Sequence, residues 1–198
     1  LTVEMGLEML RSYIRRESVR LQGETQSGVE RKVVLVEKEV SKVFPAERSS
    51  LGIPIRIKGF VDRADEVDGV LQILDYKTGK DTKKIPSLGS LFDRDDKKRN
   101  KAGMQTFLYA FFYQYQYPGN QLPLKPGIMN IKEIYSEDFN PFLQLEDSEV
   151  TDYRDFAAGF EEGLRGLLEE IMDPLVPFDQ TDDKKKCSYC AYQELCGR

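Results

Sequence analysis

Hydrophobic residues recur with a helical period in three parts of the chain. In the first, Val3, Leu7, Leu10 and Ile14 predict an amphipathic helix over residues 2 to about 20. A second run, Ala102–Tyr117, is apolar on nearly all sides and predicts a central, buried helix that stops at Pro118-Gly119. The third is the clearest amphipathic helix, Asp152–Met172, with its stripe at Tyr153, Phe156, Phe160, Leu164, Leu167, Leu168 and Ile171, and it ends before Pro174.

Four other stretches have the character of β-strands. They are Val33–Phe44, Ile55–Asp65, Val70–Lys77 and Leu124–Tyr135, the last interrupted by Pro126-Gly127. Polar or turn-rich segments separate them at 22–28, at Pro45–Pro54 and over more than about twenty residues after Gly79, a length that is usually functional or disordered. The order of helix, strands, helix, strand and helix, without repeats, predicts an α/β fold with a mixed central sheet flanked by helices.

The strongest local signal is a hairpin whose turn is Asp68-Gly69. A two-residue turn there pairs residues whose numbers sum to 137, so Asp62 falls opposite Asp75 and Phe60 opposite Lys77. Because side chains alternate along a strand, Asp62, Asp75 and Lys77 then share one face of the sheet.

Two opposed carboxylates at this spacing repel each other unless a cation lies between them. Mg²⁺ and Mn²⁺ favour oxygen ligands, and Mg²⁺ commonly takes one or two carboxylates together with water and phosphate oxygens. An ammonium from Lys77 beside such an ion would complete the groups needed for metal-assisted phosphodiester hydrolysis. The alternative is an exposed hairpin with a charged outer face.

Asp62, thirteen residues before Asp75-Tyr76-Lys77-Thr78-Gly79, resembles the PD-(D/E)xK nuclease core. More narrowly, Gly59-Phe-Val-Asp-Arg-Ala-Asp65 followed by Asp75-Tyr-Lys-Thr-Gly79 resembles the RecB-like branch, which includes AddB-type helicase-nuclease subunits and CRISPR-associated nucleases. The resemblance implies a restriction-endonuclease-like core, with Asp62, Asp75 and the carbonyl of Tyr76 as Mg²⁺ or Mn²⁺ ligands. It also implies that Lys77 is the catalytic lysine, which would orient the attacking water or help to deprotonate it.

Two polar residues of the central helix, Gln105 and Tyr109, lie one turn apart on one face. They can be a glutamine near the helix N-terminus and a core tyrosine. In the RecB-like branch a helix with Gln-x-x-x-Tyr follows the lysine motif, and the resemblance of Gln105-Thr-Phe-Leu-Tyr109 implies roles in placing substrate or the catalytic lysine.

Composition bounds the remaining possibilities. The 198 residues are 40% hydrophobic and 32% charged, which is typical of one globular domain. No apolar run approaches the about 20 residues of a membrane span, so neither a membrane nor an export signal is expected and the location is expected to be cytoplasmic. Since the chain starts at Leu1 inside a predicted helix, residues 1–198 are expected to be one domain cut from a longer protein.

The net charge of −5 does not indicate nucleic-acid binding, but the distribution of the charges along the chain is more informative. The segment from Lys77 to Lys101 contains nine basic residues and four aspartates, so its net charge is +5. The net charge of the rest of the chain is therefore −10. This basic segment directly follows the candidate catalytic lysine, so Lys80, Lys83 and Lys84 are candidate phosphate contacts. The alternative is a solvated, mobile loop. A strand carboxylate, Glu39, could also approach the site, although an ordinary surface position is favoured.

All three cysteines, Cys187, Cys190 and Cys196, lie within ten residues of the tail 173–198. Clustered cysteines in an intracellular chain favour metal over a disulfide, but three thiolates without histidine complete neither a zinc site nor an iron–sulfur site. The spacing resembles RecB-like nucleases in which these cysteines and one far upstream hold a 4Fe-4S cluster. Without the fourth cysteine, reduced surface thiols are expected here.

A second departure from the family is the absence of any histidine, because many members use one from an N-terminal helix as a metal ligand. Together the observations predict a Mg²⁺- or Mn²⁺-dependent deoxyribonuclease, in particular an exonuclease, of a DNA repair or recombination system. DNA and a helicase subunit or helicase domain are the expected partners. The alternative is a nuclease-derived scaffold that binds DNA or a helicase without cutting.

Overall fold

The computed structural model describes residues 3–45, 52–96, 99–134, 136, 138–177 and 179–197. Its helices are α1 (Val3–Gln26), α2 (Lys101–Gln116), α3 (Ala157–Met172) and α4 (Lys184–Cys187). Its strands are β1 (Arg31–Phe44), β2 (Ile55–Val67), β3 (Val70–Lys77), β4 (Lys84–Ile85), β5 (Leu124–Asn130), β6 (Gln144–Leu145) and β7 (Ser148–Glu149). Short 3-10 turns occupy Gly89–Leu91 and Tyr153–Asp155.

The main sheet is mixed, as predicted, with strand order β1-β2-β3-β5. The first three strands are antiparallel neighbours, and β3 pairs in parallel with β5. A small second sheet, β4-β6-β7, stands beside it. The predicted α/β class with flanking helices is therefore confirmed.

The β2–β3 hairpin forms in the predicted register. All five recorded pairs, from Val67↔Val70 to Arg63↔Leu74, sum to 137. At the turn Asp68 has φ 48° and Gly69 has φ 76°, the two left-handed residues of a type I′ turn. Because the ladder ends at Arg63↔Leu74, the predicted pair of Phe60 with Lys77 does not form, and Asp62 and Asp75 lie just beyond the last pair.

The side chains of β2 change sides of the sheet at Asp62. Before Asp62, the odd-numbered residues point to the core side of the sheet: Gly59 faces α2 and Val61 is a core residue. After Asp62, the even-numbered Ala64 is the core residue. Odd and even residues thus exchange faces between Val61 and Ala64. On β1, the residue opposite this point is Glu37, which has the left-handed φ of 46°. The change in phase places Asp62 at an irregular point of the strand.

The core lies between the sheet, α2 and α3. Phe107 and Phe111 of α2 contact Phe160 of α3, with ring centroids 5.4 and 6.0 Å apart, and Tyr153 closes the cluster against Phe107. The prediction of α2 as a central, buried helix is confirmed, because nine of its sixteen residues are buried.

Several boundaries differ from the predictions. Helix α1 continues to Gln26 through most of the predicted 22–28 loop, since Arg20 pairs with Glu24 one turn on. Strand β5 ends at Asn130 rather than Tyr135, and Pro126 does not interrupt it, because its carbonyl still accepts a hydrogen bond, from Leu143 at 3.1 Å. Residues 46–51 of the predicted connector, Lys97, Lys98 and Tyr135 lie outside the described residues.

The segment after Gly79 is more structured than its polarity predicts. It contains β4 and a 3-10 turn, and its apolar residues Ile85 and Leu91 belong to the core. Asn100 fastens its two ends together: the side-chain amide donates to the carbonyls of Thr82 and Lys84, at 2.9 and 3.0 Å.

Candidate active site

The two aspartates meet where β2 and β3 separate. Oδ2 of Asp62 accepts a 2.7 Å hydrogen bond from the backbone N–H of Tyr76, two residues past the last paired residue of β3, Leu74. Asp62 thus supplies to β3 the acceptor that a paired strand would have supplied. Its carboxylate is held close to the Asp75 peptide, and the charge of Asp62 contributes to raising the pKa of Asp75.

Asp75 is a carboxylate almost without solvent. Its side chain is 1% exposed, and Lys77 Nζ lies 2.8 Å from Oδ2. The two charges are in contact, but among the described residues this oxygen accepts no well-directed hydrogen bond. Burial raises the pKa of Asp75, the contact with Lys77 opposes the rise, and the charges of Asp62 and Asp81 add to it.

Helix α2 places the next groups. Gln105 Oε1 accepts a 2.8 Å hydrogen bond from Lys77 Nζ, and Gln105 Nε2 donates to the hydroxyl of Tyr109 at 2.5 Å. The first turn of α2 is fixed by Asn100, whose Oδ1 accepts from the N–H of Gly103 at 2.8 Å. The structure therefore joins Asp75, Lys77, Gln105 and Tyr109 in one continuous chain of contacts.

The protonation of Lys77 is set by competing effects. Burial works to lower its pKa, but the contact with Asp75 and the nearby charge of Asp62 outweigh it, so the pKa lies above the ordinary lysine value. Burial likewise raises the pKa of Tyr109. Both groups therefore carry their protons at neutral pH, and Lys77 acts as a cation and hydrogen-bond donor.

The donor set fits a hard divalent cation. Within the described ranges no cluster of three or more Asp, Glu, Cys or His residues could hold a metal ion, so the side chains offer the two carboxylates Asp62 and Asp75. Mg²⁺ is commonly bound in this way, with waters and phosphate oxygens filling its other positions. The buried Oδ2 of Asp75 is in contact with Lys77 Nζ at 2.8 Å but accepts no well-directed hydrogen bond among the described residues, so it can still accept such an ion. The carbonyl of Tyr76, the third predicted ligand, belongs to the Tyr76–Lys77 peptide bond, directly before the candidate catalytic lysine.

The predicted phosphate contacts lie in different surroundings. Lys83 forms a 2.9 Å ion pair with Glu133 and lies over the ring of Phe139 at 4.9 Å, so its charge is already compensated. Lys84 is exposed and 3.6 Å from Asp147. Lys80 is exposed. Of the three, Lys80 and Lys84 remain accessible.

The predictions for Glu39 and for the three cysteines concern residues outside this chain of contacts. Glu39 pairs with Lys58 at 2.8 Å and Arg56 at 3.1 Å, as an ordinary strand carboxylate. Cys187 is half-buried, whereas Cys190 and Cys196 are exposed, and all three are free thiols. They hold no metal-binding arrangement in the described part of the tail.

One residue that sequence reasoning missed shapes the site directly. Gly59 lies against the ring of Tyr109, and a Cβ added there would come within 2.8 Å of Cε1. A glycine inside a strand can indicate the close approach of another group, which is the signal that could have identified it.

The sequence pattern of the PD-(D/E)XK nuclease superfamily matches residues 3–197. The chain belongs to the PD-(D/E)XK nuclease superfamily. Its members are typically nucleases and generally use divalent metals such as Mg²⁺ or Mn²⁺, which agrees with the donor set of this PD-(D/E)XK domain. A comparison with curated proteins finds no match. No helix in the described residues is long and apolar enough to cross a membrane.

Proposed function

We propose that this PD-(D/E)XK domain is a Mg²⁺- or Mn²⁺-dependent deoxyribonuclease. The observation that carries the proposal is the buried carboxylate of Asp75, whose Oδ2 has Lys77 Nζ at 2.8 Å but no directed hydrogen bond among the described residues. A structural ion pair would more commonly be closed by further donors. An oxygen left open between an ammonium and a second aspartate is suited to a ligand that the reaction brings.

In this proposal Asp62 and Asp75 would hold the ion, and the carbonyl of Tyr76 would add a neutral oxygen. The ion would neutralise the scissile phosphate and lower the pKa of a bound water. Lys77 keeps its proton and points the attacking water toward phosphorus through Nζ–H. Gln105 fixes Nζ from the other side, and Tyr109 fixes Gln105. Lys80 and Lys84 would contact backbone phosphates of the DNA.

The biological setting is also proposed. Two segments, 62–79 and 105–109, resemble the RecB-like branch. This resemblance supports an exonuclease of a cytoplasmic helicase-nuclease system for DNA repair or recombination. The same likeness supports a 4Fe-4S cluster on Cys187, Cys190 and Cys196, with a fourth ligand from outside these 198 residues.

The test is cleavage of end-labelled and circular DNA with Mg²⁺, Mn²⁺ or chelator. Wild-type protein should cut linear DNA only with metal, and Lys77→Met should lose at least about a hundredfold in rate, in the range seen when one group that stabilises a transition state is removed. Lys32→Met, which removes an exposed lysine of β1, is the matched control and should cut normally. Metal-dependent DNA binding without cleavage would support the scaffold alternative instead.

A further inference from the structure

Tyr76 lies between Asp75 and Lys77 in the sequence, but its side chain points to the opposite side of the sheet. Asp75 and Lys77 face α2, where Lys77 contacts Gln105. The Tyr76 hydroxyl instead lies 2.8 Å from the hydroxyl of Tyr13 on α1, and the two rings meet edge-to-face with centroids 5.7 Å apart. The backbone between Asp75 and Lys77 is therefore supported by α1 on the face of the sheet opposite α2.

A guanidinium braces this hydroxyl pair. Arg63 Nη1 lies 3.4 Å from the Tyr76 hydroxyl and 3.5 Å from the Tyr13 hydroxyl. The same nitrogen donates to Glu17 of α1 at 3.0 Å, and Arg63 Nε donates to the fully buried Asp65 at 2.8 Å. The contact of α1 with Tyr76 is thus part of a charged network that includes Arg63 and Asp65 of β2.

Helix α1 is attached to the sheet in an unusual way. None of its 24 residues, all of which the structure describes, is buried. Its apolar residues Leu7, Leu10 and Ile14 are about half exposed, while Tyr13, Glu17, Arg20 and Glu24 make the recorded contacts with the sheet or with one another. A helix that served only to cover the core would bury its apolar stripe. Helix α1 instead brings polar groups to the back of β3.

We propose that α1 positions the candidate active site and that the Tyr13 hydroxyl acts through Tyr76 to fix the Asp75–Lys77 backbone. The inference rests on the proposed function, because it assigns Tyr13 and Tyr76 to the geometry of that same site. Both side chains lie on the face of the sheet opposite the one to which Asp75 and Lys77 point, so both are positioning residues. Without the hydroxyl pair, the Tyr76 peptide keeps its hydrogen bond to Asp62 but loses its support from α1.

The test uses Tyr13→Phe, Tyr76→Phe and the double variant, which retain the rings and so the packing. Two quantities are measured: Mn²⁺ binding by calorimetry, and kcat and KM for DNA cleavage. Tyr13→Phe should weaken Mn²⁺ binding and lower kcat, each about three- to tenfold, as expected for one lost hydrogen bond, with KM for DNA unchanged. The double variant should be no worse than Tyr76→Phe, because the two hydroxyls act as one unit.

The matched control is Arg16→Gln, which removes a different contact of α1, the 3.0 Å hydrogen bond to the carbonyl of Ser136. It should bind Mn²⁺ as wild type does. Additive losses in the double variant, an equal loss in Arg16→Gln, or an unchanged Tyr13→Phe would each overturn the inference. A wild-type protein that binds Mn²⁺ but cuts no DNA would overturn the proposed function and leave the binding comparison to decide the inference. Wild-type protein without Mn²⁺ affinity would overturn both.

Discussion

The carboxylate of Asp62 accepts the backbone N–H of Tyr76 at 2.7 Å, at the point where β2 and β3 stop pairing. Asp62 therefore has two tasks that are separable in principle. One oxygen completes the hydrogen bonding of β3, and the negative charge lies beside Asp75 at the candidate metal site. A substitution that keeps the acceptor but removes the charge distinguishes the two.

We predict that Asp62→Asn folds almost as stably as wild type but no longer binds Mn²⁺, because the amide oxygen can still accept from Tyr76 while the charge is lost. Asp62→Ala should lose metal binding and also about 1–3 kcal/mol of unfolding free energy, since the Tyr76 N–H loses its partner. Urea unfolding and Mn²⁺ titration of both variants check the prediction. Wild-type Mn²⁺ affinity in Asp62→Asn would remove Asp62 from the ligand set.

A second prediction concerns the missing side chain at Gly59. Gly59→Ala places a methyl group 2.8 Å from Cε1 of Tyr109, so the ring must shift. We expect a loss of about 1–3 kcal/mol in unfolding free energy, typical of overpacking, together with slower cleavage as the Tyr109–Gln105–Lys77 chain moves. The control is Gly166→Ala in α3, which meets nothing within 4 Å and should gain about 0.5–1 kcal/mol from helix propensity. Equal stability of the two variants would contradict the prediction.

The hairpin and the candidate site were predictable from sequence because their signals are local. Asp68-Gly69 sets the register, and the register places Asp62 and Asp75 next to each other. The Gln105-to-Tyr109 spacing similarly places both residues on one face of a helix. What the alternation rule missed is the change of phase at Asp62, which has no signal in the residue types themselves.

The other differences depend on contacts between distant parts of the chain. The apolar stripe of α1 predicts a buried face, yet the helix docks through Tyr13 and Glu17 because their partners, Tyr76 and Arg63, lie far along the sequence. The sequence around Lys83 predicts a free cation, but in the structure Lys83 forms an ion pair with Glu133, which is distant in sequence. Ile85 is one apolar residue in a polar stretch, too weak a pattern to predict a core position.

A third prediction concerns the buried charge behind the sheet. Asp65 is fully buried between Arg31 and Arg63, at 2.6 and 2.8 Å. Asp65→Asn leaves two guanidinium groups without their shared counter-charge, and we expect it to cost about 3–5 kcal/mol of unfolding free energy. Glu39→Gln, which breaks the ion pairs of the more exposed Glu39, is the control and should cost far less, because solvent screens surface ion pairs. Chemical denaturation measures both, and equal losses would show that the network is not a buried one.

A fourth prediction follows from the acids that hold α1. Burial works to raise the pKa of Glu17, but the hydrogen bonds and charges of Arg20 and Arg63 outweigh this effect. The pKa of Glu17 therefore lies below its ordinary value of 4.5 in the folded protein. A depressed folded pKa gives stability that is present above the unfolded pKa and lost as pH falls through the folded pKa. The stability difference between wild type and Glu17→Gln should therefore be constant near neutral pH and shrink below about pH 4.5. A difference that stays the same down to pH 3 would contradict this.

The last prediction concerns the tail that carries the cysteines. None of the described residues from 173 on is buried, and the hydrogen bond from Gln180 to the carbonyl of Cys196 connects two parts of the tail. Such a segment cannot order itself by burying apolar surface, whereas ligand binding at a structural metal site contributes directly to folding.

We therefore expect a longer form of the protein that supplies a fourth cysteine to be brown when purified anaerobically, with about four iron atoms per chain as in a 4Fe-4S cluster. Cys190→Ser should lose the colour and the protection of the tail from proteolysis, yet keep Mn²⁺ binding, since the thiols are not among the candidate Mn²⁺ ligands. Iron analysis, visible absorbance and limited proteolysis measure these effects, and Ser188→Ala, an exposed neighbour of similar size, is the control. A colourless, iron-free protein of full length with a protease-resistant tail would remove the cluster, because the tail would then be ordered by other contacts.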